Sequence, residues 1–493
     1  MKSMIKNSLR IVLPVAALFA AVSCSESFLK PDPLSFFEPS KTFTSSAGLE
    51  AAITSCDRQL ITFFYGEIPP ICTDGVFSEM HVDGTTDKAG RAQDLNILIT
   101  PTADLTSSNA NRIGISWQEG FYGLKYANTV ISNVENISGL EAEVRDHFLG
   151  QAYFHRAFRY YFLCFQFGDI PLITKEIISP KFNLRSTKWQ VIIEKMTADM
   201  EFAVAHVRET VDRGAVNRTA CKHLLAKLYL AAGRFDDAIR LTTEIINDPN
   251  YALMTEPFGT FVNPMPDVHS ITRNIIWDLH RHENKAIAAN REAIHLIIDR
   301  EDFANSRVNS GMMRNYVPYY LSAGKIITPD GKPGTTDVPT SNQNGIDIRK
   351  AYGRGVAYGR GTVYSTKTIW DDPNDLRHSR ETGNWMCMED VVYNHPDLKS
   401  SGNPWYGKPL QLYNEDGVIL CTDTLRSWAA WPHYKTWVES PRAENSNSYN
   451  GGACDWYIYR LAETYLVRAE ANLWKGNQAA AMADINVIRT RAK

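Results

Sequence analysis

Flat aromatic rings set beside planar amides and guanidinium groups can hold a polyhydroxylated ligand without reacting with it. The ring covers a CH-rich face while the polar groups meet the hydroxyls. Two clusters of this composition occur in the second half of the chain. One places Arg314 and Asn315 beside Tyr316, Tyr319 and Tyr320; the other places Asn403 beside Trp405 and Tyr406 in a Gly/Pro setting that holds rings at a surface. Taken singly, each ring reads more readily as a core or subunit-contact residue. Taken as groups, they are the candidate ligand-binding residues. A doublet, Tyr352-Gly353-Arg354-Gly355 and Tyr358-Gly359-Arg360-Gly361, is rich in donors and reads as a solvated loop.

Reactive chemistry is harder to find. There is no HExxH or GxSxG, and the cysteines Cys56, Cys72, Cys164, Cys221, Cys387, Cys421 and Cys454 show no CxxC or zinc-type spacing. Neither a disulfide framework nor a metal site follows. Gly402 to Lys408 matches the start of a phosphate loop, but Pro409 stands where Ser or Thr would hold magnesium. His280 and His282 lack a convergent third ligand and read as a packed or solvated pair. No catalytic residue, metal or cofactor is expected. Paired carboxylates for glycoside hydrolysis depend on their separation in space, so a secreted glycoside hydrolase stays open as an alternative. A formal net charge of −3 supplies no field that would gather nucleic acid, which is excluded as a partner.

The elements that must position these residues begin with an export signal. Lys2, Lys6 and Arg10 precede the apolar run Ile11 to Val22, which is short for a membrane span and ends in Ala21-Val22-Ser23-Cys24. That ending has the form of a lipobox, with Ala21 where leucine is usual, and makes Cys24 the expected site of lipid attachment. Residues 1–23 are then the signal peptide and 24–44 a tether rich in Ser, Pro and Glu.

From Ser45 the text turns helical, around Ala47 to Phe64 and Trp117 to Ile137, with a polar loop from Gly84 to Asn111 between them. Thr187 and Gln190 have capping-box spacing ahead of an apolar face formed by Ile193, Met196, Met200, Ala203 and Val207. Leu224 to Ala232 then runs through Gly233 into Phe235, Ala238, Ile245 and Pro249, the pattern of a tetratricopeptide helix pair. Tyr465 to Lys475 repeats it through Gly476 and Ala481 to Ile485 and Ile488. The fold expected is mainly α, with tetratricopeptide-like helix pairs as scaffold and a long irregular insert of loops and a few short strands. The boundaries drawn are 45–250 for the first helical region, 251–454 for the ligand-binding insert and 455–493 for the C-terminal helices. So wide a separation predicts that the pairs form no uninterrupted solenoid. Trp277 is expected to be buried, and Trp428, Trp431 and Trp437 to pack the insert on the repeats.

Four stretches in this order resemble the SusD/RagB family of outer-membrane nutrient-binding lipoproteins. They are Ala152 to Tyr161 running into Phe167-Gly168-Asp169-Ile170-Pro171; Ala232-Gly233-Arg234-Phe235; Asp375-Leu376-Arg377; and Tyr459 to Ala471, ending at Asn486-Val487-Ile488-Arg489. The resemblance implies a protein anchored by lipid in the outer membrane, facing the cell exterior. It would bind an oligosaccharide or similar nutrient without catalysis and pass it to a SusC-like TonB-dependent transporter. It also implies a further helix beyond Arg491, where this sequence stops at Lys493. Ligand residues differ among members and are not carried over. A tetratricopeptide-type adaptor that takes a peptide in a concave groove is the remaining alternative.

Overall fold

The periodic apolar segments become eight helices that build the scaffold. Six come before the insert: α1 (Ser46–Gln59), α2 (Arg112–Asn133), α3 (Ala142–Phe167), α4 (Trp189–His206), α5 (Arg218–Ala231) and α6 (Phe235–Ile246). After it come α7 (Leu461–Trp474) and α8 (Gln478–Arg491). The computed structural model describes residues 43–63, 71–86, 100–102, 112–300, 311–319, 325–336, 345–438 and 451–493. Cys24, nearly all of the tether, most of the polar stretch from Gly84 to Asn111, and Tyr320 lie outside them.

The apolar face read from α4 is buried along its whole length, from Ile193 to Val207. Its start differs from the capping box. Thr187 pairs with Ile170 in a two-residue antiparallel ladder, and Lys188 takes the cap position without a side-chain cap bond, its Nζ donating to Asp169 Oδ2 at 2.6 Å. The Trp189 N–H donates instead to Asp169 Oδ1 at 3.0 Å, so the cap comes from across the chain.

Helices α5 and α6 turn at Gly233 (φ +73°), and α7 and α8 turn at Gly476 (φ +81°). At each turn an N–H reaches back to a carbonyl five residues earlier, Arg234 to Tyr229 and Asn477 to Asn472, both at 2.8 Å. A residue with φ > 0 at that point is what glycine allows. The two hairpins then pack together, α6 against α7. The Phe235 and Trp474 rings stack at 6.4 Å, and Arg468 grips Asp484 through two bonds while donating to Thr243 on α6 at 3.1 Å. Lys227 on α5 meets Glu463 on α7 at 2.6 Å. Burial would raise the Glu463 carboxyl, but Lys227 and His223 together pull its pKa down to about 2. The expectation of a broken solenoid is therefore corrected: the stack is interrupted in sequence and continuous in space.

That continuity has a simple cause. Ala293–Ile297 pairs antiparallel with Trp456–Arg460, so the chain leaves for the larger part of the insert, residues 298–455, and returns from it at one place. Two cores result. Phe154, Met200, Leu224 and Ala471 belong to the scaffold core. Trp277, Tyr352, Met386, Trp431 and Trp437 belong to the core of the insert, joined by Ala492 at the end of α8. Trp431 and Trp437 thus fill the insert itself instead of fastening it to the repeats. The fastening is polar: Leu376 N–H donates to Ala492 C=O at 2.7 Å, and Arg489 and Lys493 meet Asp371 and Asp372 at 3.1 and 2.5 Å. Asp375 holds Arg377 through two bonds in the Asp-Leu-Arg element that makes this contact.

His295 lies in the closing strand pair, with the edge of its ring against Phe154 at 5.3 Å. Burial, and His155 nearby, push its pKa down to about 3. The folded protein thus holds it neutral while the unfolded chain takes up a proton below about pH 6.5. Stability from this site is present above pH 6.5 and falls as pH drops toward 3, by about 1.4 kcal/mol per pH unit. Denaturant titrations between pH 7 and 4.5 should give a shallower pH slope for His295→Phe than for the parent. Equal slopes would mean that His295 is not neutral when folded.

Candidate ligand groove

The insert carries an open groove of about 610 Å³, lined by Val82, Arg360, Val363, Lys367, Leu425 and Trp428 among others. The strand His81–Asp83 pairs antiparallel with Gly359–Gly361 to form one side. Glycine is required at 359, because a Cβ there would sit 2.6 Å from Tyr316 Cε1. The other side is the short helix Thr424–Ser427, whose first turn is capped by Asp423 Oδ1 accepting from Arg426 N–H at 3.2 Å. Asp423 is itself held by Thr86 at 2.5 Å and Lys325 at 3.1 Å.

Arg360 joins the two sides. Its guanidinium donates to the carbonyls of Thr424, Leu425 and Trp428 at 3.3, 3.1 and 3.3 Å. Trp428, half-buried, is fixed at its polar edge by Nε1 donating to Glu389 Oε1 at 3.3 Å. Val363 is 71 % exposed, with Val82 and Leu425 partly so, giving an apolar floor exposed among the described residues. Lys367 and Glu389 stand among the lining groups. Cys387 lines the groove as well, but burial pushes its thiol up to about 11, so it stays protonated and unreactive. A fixed indole, exposed aliphatic groups and a few charged or hydroxyl side chains suit non-covalent capture.

Among the described residues, those singled out from sequence fall into two places, neither on the groove surface; Tyr320 lies outside them. Tyr316 packs 4.7 Å from the His81 ring, beneath the strand that carries Arg360. The Arg426 guanidinium covers the Tyr319 ring at 4.1 Å, and Asn315 is fully buried with its Nδ2 donating to Gly311 C=O. The Arg314 carbonyl accepts from Val356 N–H at 2.8 Å. This cluster lies behind the residues that line the groove and supports them. Asn403, Trp405 and Tyr406 form a separate turn: Asn403 accepts from Trp405 N–H at 2.9 Å and donates to Asp330 at 2.7 Å. Tyr406 Oη accepts from Ile346 N–H at 2.8 Å, and Trp405 meets Tyr393 edge-on at 6.1 Å. The Tyr-Gly-Arg-Gly doublet is no solvated loop. Tyr352 is fully buried, Gly355 abuts the Val317 carbonyl and Arg360 is a structural donor. Trp428, Leu425 and Val363 were missed; the faint signal for them is the Asp423 cap that turns the chain just before Trp428.

These features define a class: a helical-hairpin scaffold with a loop-rich insert that bears a noncovalent groove. Two family profiles match successive parts of the chain, one described as the SusD family over residues 281–493 and one as starch-binding associating with outer membrane over residues 56–230. The chain belongs to the SusD/RagB family. It is 28 % identical over 251 residues to SusD-like protein P2 of Formosa agariphila, a match covering 49 % of this chain and 47 % of that one. The chain therefore spans about half the length of this curated relative. Among solved structures, a laminarin binding SusD-like protein aligns with TM-score 0.59 at 17 % identity, covering 90 % of this chain and 84 % of that one. Surface glycan-binding protein A from Bacteroides uniformis aligns with TM-score 0.56 at 15 % identity, covering 91 % and 81 %. No described helix is long and apolar enough to cross a membrane.

Proposed function

We propose that this protein binds a glycan at the cell surface, without catalysis, and delivers it to a SusC-like TonB-dependent transporter. The observation that carries the reading is the Trp428 groove, an oriented indole beside exposed aliphatic groups with polar groups at hand. Tyr316, Tyr319 and Arg314 enter it as supports of the groove walls, while the turn of Asn403, Trp405 and Tyr406 braces the insert at Asp330 and Ile346. The family and the binding properties named for the laminarin and surface-glycan proteins support the ligand class. In this reading Cys24 carries the lipid anchor, residues 45–250 and 455–493 form the frame, and residues 251–454 present the ligand outward.

Affinity electrophoresis through gels containing starch, laminarin, xylan or host-type glycans tests the proposal. At least one polysaccharide should retard the protein and release no reducing ends on incubation. Retardation by none, or liberation of reducing ends, would overturn it. Co-purification with the transporter after expression from the native locus tests delivery separately.

A further inference from the structure

A second cleft lies on the opposite kind of structure, among the scaffold helices. It has a volume of about 600 Å³ and is bounded by α1, α3, the segment 208–215 and the strand end at Leu296 to Ile298. That volume falls within the roughly 300–1,000 Å³ of small-molecule sites. No residue lining it also lines the Trp428 groove. A smaller cavity of about 250 Å³ lies on the far side of residues 210–215, which line both.

The chemistry of the walls is specific. Ile53, Phe148 and Ile298 give an apolar side with one aromatic ring. Asp57 lines the cleft with its side chain 21 % exposed, and its Oδ1 is held by His155 Nε2 at 2.9 Å. Gln151, also in the wall, donates through Nε2 to Val216 C=O at 3.1 Å, while its buried Oε1 has no hydrogen-bond partner among the described residues. A buried acceptor left this way costs stability until something meets it. Glu50, Asp57 and Asp212 balance Arg58, Arg208 and Arg213, and His147, which accepts from Arg208 N–H at 3.2 Å, is kept neutral by burial. Balanced charge offers no preference for an ion, whereas a ring face beside fixed acceptors favours a neutral molecule with hydroxyl edges and a CH face.

We propose that this scaffold cleft is a second ligand site for a neutral saccharide of one or two rings, independent of the insert groove. Its test is calorimetric titration of the full chain with maltose, cellobiose and laminaribiose, carried out in the Trp428→Ala background. At least one disaccharide should bind saturably there, and adding Thr54→Arg should weaken it tenfold or more. Thr54 is exposed on α1 at the cleft rim, so the arginine covers the mouth without entering the core. Phe148→Leu should weaken the same binding by removing the ring. An unchanged melting temperature in Thr54→Arg separates occlusion from misfolding. Binding lost altogether in Trp428→Ala would overturn the second site while leaving the insert groove in place. Binding that is indifferent to both Thr54→Arg and Phe148→Leu would overturn it too.

Discussion

Trp428→Ala should reduce affinity for the retarding glycan by at least tenfold and leave the melting temperature nearly unchanged. The indole is the one tryptophan among the described residues lining the groove; it donates to Glu389 and is partly buried against the insert core. Removing a ring that buries most of its free face against a ligand forfeits about 1.5–3 kcal/mol, which is roughly a tenfold to hundredfold change in Kd. Glu389→Gln should have a much smaller effect, because the amide oxygen still accepts from Nε1 and holds the ring. Calorimetry on the polysaccharide selected by electrophoresis distinguishes these cases. Equal affinity in the parent and in Trp428→Ala would place the ligand elsewhere.

The second large effect concerns the frame. Arg156 on α3 and Asp199 on α4 are both about 2 % exposed, and the guanidinium donates through Nε and Nη2 to Asp199 Oδ2 at 3.0 and 2.7 Å. Its Nη1 donates to Asn128 on α2 at 3.2 Å and to Thr174 C=O at 2.8 Å. One ion pair therefore ties three helices and the loop after α3. Asp199→Ala strands a cation in the core and should destabilise the protein by about 3–5 kcal/mol. Urea unfolding monitored by circular dichroism measures it. Replacing both partners, as Arg156→Met with Asp199→Leu, should recover most of the loss, since no buried charge is left unpaired and Lys195, which also meets Asp199, is exposed to water. A loss below about 1 kcal/mol for Asp199→Ala would show that water reaches the pair.

The helix pairs were legible because their signals are local. Gly233 and Gly476 mark turns that only positive φ can make, and the spacing of Ile193 to Val207 marks one buried stripe. What escaped depends on partners distant in sequence. Thr187 has the right type and spacing for a cap, yet its pairing with Ile170 gives that duty to Asp169. Arg360 looks like a loop donor until Thr424 and Trp428 are seen to receive its bonds. The tyrosines at 316 and 319 stand close together in sequence, but nothing local says that His81 and Arg426 cover their faces. Burial of a ring is a property of what folds over it, and here the cover comes from residues more than a hundred positions away.

The antiparallel pairing of Ala293–Ile297 with Trp456–Arg460 has a practical corollary. Because the two ends of residues 298–455 sit side by side, this larger part of the insert behaves as a cassette with adjacent ends. A tight turn joining Ile297 directly to Trp456 would close the helical stack with no long gap to bridge, leaving the tip of α8 around Ala492 and the insert-core segment from Met254 to Leu279 to be resurfaced. The same adjacency would let an excised module from another member be grafted in, so that recognition could be exchanged while the chassis stays constant.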